Sequence, residues 1–188
     1  LAWSAGGRVT NATLRSMRER NPDMSGDELA DKFKLGTVYF AAADVPASEF
    51  IDALPALNEM AEKVIVTASS NDGALKGAQI FMGGDRRIGL VGHTLTEEQI
   101  ATVVAADRFE FIDMSKGAEN RGFDITGHRY WFNHPWASTD ALLSIRTDFD
   151  PEERGLEPTE NGVVWWMPAD YPERVKQIIQ IPTSEMRR

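Results

Sequence analysis

The sequence predicts an α/β fold with a mostly parallel sheet and helices on both of its faces. Strand-like and helix-like segments alternate along most of the chain, which is the pattern of βαβ units. The strand-like segments are short, continuous apolar runs, and such runs are typical of strands buried on both faces of a parallel sheet. With 188 residues, the chain is long enough for one domain with a sizeable core.

The first helix follows the opening residues directly. Apolar residues near helical spacing predict a helix over residues 5–20, and Asn21-Pro22-Asp23 ends it. The three residues before it, Leu1 to Trp3, read as the end of a strand, and almost none of that strand is present in the sequence. We therefore expect the sequence to be the C-terminal part of a longer protein, with the N-terminal half of the fold missing from it.

Three further apolar runs predict buried strands, and helical segments follow them. The predicted strands are residues 35–43, 63–69 and 109–114, and the predicted helices are residues 49–61, 74–81, 96–106 and 136–145. Pro55 is expected to bend or restart the first of these helices. The connection over residues 82–107 contains several glycines; we expect a surface excursion there, and a flap over a site is the alternative.

Residues 148–188 are expected to form a tail outside the domain of residues 1–147. Residues 148–160 are acidic and contain two prolines, which predicts a solvated loop; an alternation of three acidic residues there lacks the pattern of a calcium loop. Residues 162–167 predict a strand or an apolar segment, and residues 171–179 predict an amphipathic helix.

Composition excludes several function classes. The net charge of −9 argues against a nucleic acid partner and against an anionic membrane surface. The absence of cysteine excludes disulfides and thiolate chemistry. No apolar run approaches the roughly 20 residues of a transmembrane helix. No histidine–carboxylate cluster indicates a metal, and we expect no cofactor.

Three polar residues follow predicted strands, where chemistry gathers in such sheets. Ser4 follows the opening strand, Asp72 follows the strand ending at residue 69, and His128 lies in the loop after the strand ending at residue 114. Their order along the chain is the order that α/β-hydrolases use. Near neutral pH an imidazole can take the proton of a serine hydroxyl, and a carboxylate can orient that imidazole. These residue types predict hydrolysis of an ester or amide.

The residues around Ser4 fit a nucleophile elbow, the sharp strand-to-helix turn that exposes a catalytic serine. Such a turn tolerates little bulk two residues on either side, and these positions hold Ala2 and Gly6, although the usual pattern has glycine at both. The amide of Ala5, at the start of the helix, is the expected oxyanion donor. The alternative is a glycine-rich turn with an incidental serine.

Three segments resemble α/β-hydrolases, and within that superfamily a mainly bacterial branch of uncharacterised function. They are Trp3-Ser4-Ala5-Gly6-Gly7-Arg8-Val9, Ala68-Ser69-Ser70-Asn71-Asp72-Gly73-Ala74-Leu75 and Gly127-His128-Arg129-Tyr130, with Ala41 to Val45 and Phe50 in support. The resemblance spans residues 1–145. It implies a serine hydrolase with Ser4 as nucleophile, Asp72 as acid and His128 as base, and a small carboxylic ester as substrate. It also implies a second oxyanion donor from the missing half.

Some site assignments stay open. Asp44 also follows a strand and competes with Asp72 as the acid. His93 and His134 compete with His128 as the base.

Aromatic residues near the predicted site are expected to line an apolar acyl or alcohol pocket, and packing in the core is the alternative. They are Trp3, Tyr130, Trp131, Phe132 and Trp136. The alternative for the whole chain is a non-catalytic α/β-hydrolase-fold protein that binds a partner or ligand.

Overall fold

A computed structural model describes residues 1–92, 95–115, 126–159 and 163–179. Within these ranges six strands form one sheet in the order β1-β2-β3-β4-β6-β5. The strands are β1 (Ala2–Trp3), β2 (Thr37–Ala41), β3 (Lys63–Ala68), β4 (Phe109–Asp113), β5 (Glu157–Pro158) and β6 (Val164–Trp166). Every neighbouring pair is parallel except β5 and β6. The predicted α/β fold with a mostly parallel sheet is confirmed.

Helices cover both faces of this sheet. They are α1 (Ala5–Glu19), α2 (Gly26–Phe33), α3 (Ala47–Met60), α4 (Gly73–Met82), α5 (Glu97–Ala105), α6 (Tyr130–Asn133), α7 (Pro135–Arg146) and α8 (Tyr171–Ile179). Neighbouring residues of β2 enter opposite cores: Phe40 packs with the face that α1, α2 and α3 cover, and Tyr39 with the face that α6, α7 and α8 cover. This division explains why the strands are apolar throughout. None of the described helices has the length and apolar character needed to span a membrane.

The first long helix after β2 does not restart at its proline. Pro55 lies inside α3, which continues past it as one helix from Ala47 to Met60. Seven residues of α3 are buried, among them Phe50 and Leu57. This packing outweighs the local cost of the proline.

Residues beyond position 148 contribute to the same sheet. The strand β6 pairs with β4 in parallel, with Ile112 opposite Trp165, and β5 adds an antiparallel edge. The helix α8 packs on the second core through Tyr171 and Val175. The strand and helix expected in this region are both present, and they share the core of the preceding residues.

A buried ion cluster ties the acidic segment after α7 to the sheet. Arg154 is fully buried, with Nε 2.9 Å from Asp140 Oδ1 and Nη2 2.7 Å from Glu110 Oε2. Burial raises the pKa of Asp140, although the neighbouring guanidinium acts in the opposite direction. The solvated loop expected over residues 148–160 is thus replaced, around Arg154 and Leu156, by an anchored turn.

Arg154→Met is expected to lower the free energy of unfolding by about 3–5 kcal/mol, because it leaves the buried Asp140 without its cation and Glu110 with Lys63 alone. The loss is expected to be smaller at pH 5 than at pH 8. Without the guanidinium, the pKa of Asp140 in the folded variant rises further above its value in the unfolded chain. The folded variant therefore holds this proton more tightly than the unfolded chain does, and its free energy of unfolding falls as pH rises through the folded-state pKa. Urea unfolding followed by circular dichroism at both pH values measures this.

The control is Arg15→Met, which breaks the exposed Arg15–Glu19 pair on α1. It is expected to cost less than about 1 kcal/mol, since water screens exposed pairs. If Arg154→Met lowered the free energy of unfolding at pH 8 by no more than Arg15→Met does, a structural role for the ion cluster would be contradicted.

Candidate active site

Ser4 lies on a sharp turn between β1 and α1. Its backbone has φ 53° and ψ −124°, a conformation that a residue with a side chain rarely adopts. Backbone hydrogen bonds hold the turn: Ser4 N donates to Ala41 O at 3.1 Å, and Ser4 O accepts from Gly7 N and Asp44 N, both at 3.0 Å. A strained serine between a strand and a helix is the arrangement of a nucleophile elbow.

The sequence predicts that Gly6 is the position where a side chain would not fit at this turn. In the structure that position is Gly7. A Cβ added at Gly7 would lie 2.7 Å from Ala43 Cβ, whereas a Cβ at Gly6 would meet nothing within 4 Å. The reason is that the first turn of α1 crosses closely over the end of β2. Ala2, on the other side of the serine, is buried in the core.

Asp72 and His128 are in direct contact. His128 Nδ1 lies 2.7 Å from Asp72 Oδ2, and the Asp72 side chain is fully buried. The other carboxylate oxygen of Asp72 accepts a hydrogen bond from Leu75 N at 2.9 Å and so caps α4. Because a carboxylate can only accept, the proton is assigned to Nδ1 and Nε2 is left as the basic nitrogen.

The two loops that carry this pair pack backbone against backbone. Gly73 N donates to Thr126 O at 2.6 Å. Gly127 has φ 64°, and a Cβ there would lie 2.6 Å from Asn71 O. Only glycine fits at position 127, so the glycine before the histidine is a structural requirement of the contact.

Asp44 has different partners. Its Oδ1 lies 2.9 Å from Nε of the buried Arg87 and 3.8 Å from Nη2 of Arg8. Of the two candidate acids, Asp72 is the one that the structure brings to His128. Asp44 instead fixes the elbow through its backbone amide, which donates to Ser4 O at 3.0 Å.

The rival histidines lie elsewhere. His134 caps α7, with Nδ1 accepting from Trp136 N at 3.3 Å. His93 lies outside the described residues.

The sequence predicts a surface excursion for the glycine-rich segment after α4. In the structure, part of this segment returns to the carboxyl ends of the strands. Gly89 N donates to Ala43 O at 3.1 Å and Gly89 O accepts from Ser69 N at 3.0 Å. Its neighbours Ile88 and Leu90 are buried. A Cβ at Gly89 would lie 2.7 Å from the backbone of β2's extension, so this glycine permits the close approach.

Trp3 joins the elbow to the imidazole. Its indole Nε1 donates to His128 O at 3.3 Å, and the two ring centroids lie 5.4 Å apart with their planes at 35°. Trp131 and Phe132 also contact the indole of Trp3, with ring centroids 6.4 Å and 6.1 Å from its centroid. The residue that directly precedes Ser4 in the chain is therefore in contact with His128.

Tyr130 is placed differently from the expected pocket position. It is 4% exposed, and its hydroxyl donates to Thr67 O at 2.9 Å, so it packs in the core. Burial raises the pKa of Tyr130. Trp136 packs against Tyr171 and the same core. The aromatic residues that remain beside the site are Trp3, Trp131 and Phe132.

Two further features bear on the chemistry. Ala5 is the first residue of α1, where amide groups lack partners within the helix and the dipole is positive. Among the residues that the structure describes, no three histidine, aspartate or glutamate side chains gather to hold a metal ion.

Comparison with known proteins identifies the family. A sequence model described as alpha/beta hydrolase of unknown function (DUF900) matches residues 1–146. Neither the curated proteins nor the solved structures contain a match to the chain. The matched range includes Ser4, Asp72 and His128, and it confirms the superfamily to which the sequence motifs pointed. The chain belongs to the DUF900 family of α/β-hydrolases of unknown function.

Proposed function

We propose that this protein is a serine hydrolase that cleaves carboxylic esters through an acyl-serine intermediate. Ser4 is the nucleophile, His128 the general base and Asp72 the acid that orients it. The observation that supports this most is the 2.7 Å contact between His128 Nδ1 and the buried Asp72 carboxylate, with the imidazole against the indole next to Ser4. Family membership supports hydrolysis in general, and the three candidate residues narrow the proposal to a serine hydrolase.

In the first half of the reaction, Ser4 Oγ attacks the ester carbonyl carbon while His128 Nε2 takes the hydroxyl proton. The negative charge that develops on the carbonyl oxygen is stabilised by the Ala5 amide and by the positive end of the α1 dipole. Asp72 stabilises the imidazolium that forms. Its effect is strong because the carboxylate is buried, where water screens the interaction little.

In the second half, the imidazolium donates its proton to the leaving alkoxide oxygen as the carbon–oxygen bond breaks, and the acyl group stays on Ser4. Water then attacks the acyl carbon while His128 takes its proton. The imidazolium then returns this proton to Ser4 Oγ as the bond between the acyl carbon and Oγ breaks, which releases the carboxylic acid and restores the serine hydroxyl. Water is the only co-reactant, so the cycle needs no cofactor.

The substrate we propose is a small ester with an apolar acyl or alcohol group. Phe132 is 44% exposed beside the indole of Trp3, and Trp131 is half-buried next to both. These rings offer an apolar surface close to Ser4, and apolar surface with a few placed polar groups is typical of sites for small ligands.

A fluorophosphonate probe is expected to form one covalent adduct, on Ser4. Digestion with trypsin and mass spectrometry should find the added mass on the peptide that ends at Arg8. Heat-denatured protein is the control, because labelling depends on the assembled triad and not on an isolated serine. An unlabelled native protein, or an adduct on another serine, would favour the non-catalytic alternative or a different nucleophile.

A further inference from the structure

We propose that Trp3 is a positioning residue for His128: its indole fixes the imidazole in the orientation that reaches Ser4 and stabilises the positive charge that the imidazole gains. This inference rests on the proposed function, since it concerns the base of the same triad. It assigns Trp3 a role in the chemistry of the histidine, where the sequence pointed to a substrate pocket or to packing in the core.

One hydrogen bond from Nδ1 does not by itself fix the imidazole. The Asp72 contact holds one ring atom, and the ring could still pivot about the line from Nδ1 to Oδ2. The backbone amide of His128 makes a long hydrogen bond, 3.4 Å to Thr126 Oγ1, and this bond does not restrain the ring itself. A second contact is required to set the direction of Nε2, and the tilted contact with the indole, 5.4 Å between ring centroids, supplies one.

Trp3 is well suited to fix this direction because its own position is fixed. It belongs to β1 and pairs in register with Ala41 of β2. Its ring is supported edge-to-face by Phe132, at an interplanar angle of 86°. The hydrogen bond from indole Nε1 to His128 O ties the histidine backbone to the same ring. Since Trp3 directly precedes Ser4, the base is positioned relative to the nucleophile through one rigid residue.

The indole also affects the charge on the imidazole. The face of an aromatic ring carries negative potential and attracts a cation within about 6 Å of its centroid. The centroid distance of 5.4 Å falls in this range. Imidazolium forms only after Ser4 loses its proton, so this attraction favours the tetrahedral intermediate more than the resting enzyme.

Two substitutions separate these contributions. Trp3→Phe keeps an aromatic face but loses the Nε1 donor, and it is expected to slow fluorophosphonate labelling by about fivefold. Trp3→Leu loses both and is expected to slow labelling by about 50-fold. For p-nitrophenyl butyrate, kcat should fall in the same order while KM changes little. Trp136→Phe is the matched control, because Trp136 also contacts a histidine, His134, but packs away from the triad.

A spectroscopic signal tests the positioning without any turnover. The proton between His128 Nδ1 and Asp72 is expected to give a downfield NMR resonance, assigned by its absence in His128→Gln. It should broaden through faster exchange in Trp3→Leu, less so in Trp3→Phe, and stay sharp in Trp136→Phe. The chain has three histidines, which makes the assignment practical.

Two outcomes would overturn the proposal: labelling and resonance unchanged in Trp3→Leu, or a rise in KM with kcat unchanged, which would make Trp3 a substrate contact. If Trp3→Leu does not fold, Trp3→Phe decides by the same criteria. If the native protein is not labelled at all, the proposed hydrolase function fails, yet the resonance still reports whether Trp3 holds His128.

Discussion

Ser4→Ala is expected to lower kcat/KM for p-nitrophenyl butyrate by about 10⁵-fold and to abolish fluorophosphonate labelling. Loss of the nucleophile removes the acyl-enzyme route altogether, and what remains is the modest effect of the oxyanion donor and substrate binding. Alanine keeps the β-carbon, so the strained backbone at φ 53° and the hydrogen bonds of the turn should persist. Esterase kinetics and labelling of the same preparation measure both effects.

The matched control is Ser16→Ala, a half-buried serine near the other end of α1. It is expected to keep labelling and kinetics within about twofold, in line with the small effects of substitutions away from special sites. Circular dichroism should show both variants folded. Should Ser4→Ala keep more than about 1% of native activity, a residual far above that of a lost nucleophile, Ser4 would not be the nucleophile.

The positions of the triad candidates follow from simple physics of parallel sheets. Apolar runs identify β2, β3 and β4, because a strand covered on both faces can carry few polar side chains. Once strands are parallel, whatever follows each of them lies at the same edge of the sheet. Asp72 and His128 meet there for this reason, and the order of residues along the chain is enough to expect it.

Other features could not be predicted from the sequence, because they depend on partners that are distant in the chain. Asp44 and Asp72 both follow strands, and their partners separate their roles: Arg87 lies beside Asp44 and His128 beside Asp72. Arg154 lies in an acidic, proline-containing segment typical of a solvated loop, but Glu110 and Asp140 provide carboxylates inside the core. Local composition does not reveal such long-range compensation.

The difference between Asp44 and Asp72 predicts opposite consequences for the same substitution. Asp72→Asn is expected to lower kcat by about 10⁴-fold with the fold retained. Asparagine still caps α4, since its Oδ1 can accept from Leu75 N. Its amide group would donate to His128 Nδ1, which moves the imidazole proton to Nε2 and removes the base that must take the Ser4 proton. Single-turnover acylation measures the loss directly.

Asp44→Asn should behave in the reverse way. It leaves the buried Arg87 without its ion pair, so thermal unfolding should begin at a lower temperature, while kcat changes less than about tenfold because the backbone amide that binds Ser4 O remains. A histidine oriented by Asp44 would give the opposite pair of results. Because each variant serves as the control for the other, a general loss of folding cannot imitate the expected pattern: one carboxylate acts on the reaction and the other on stability.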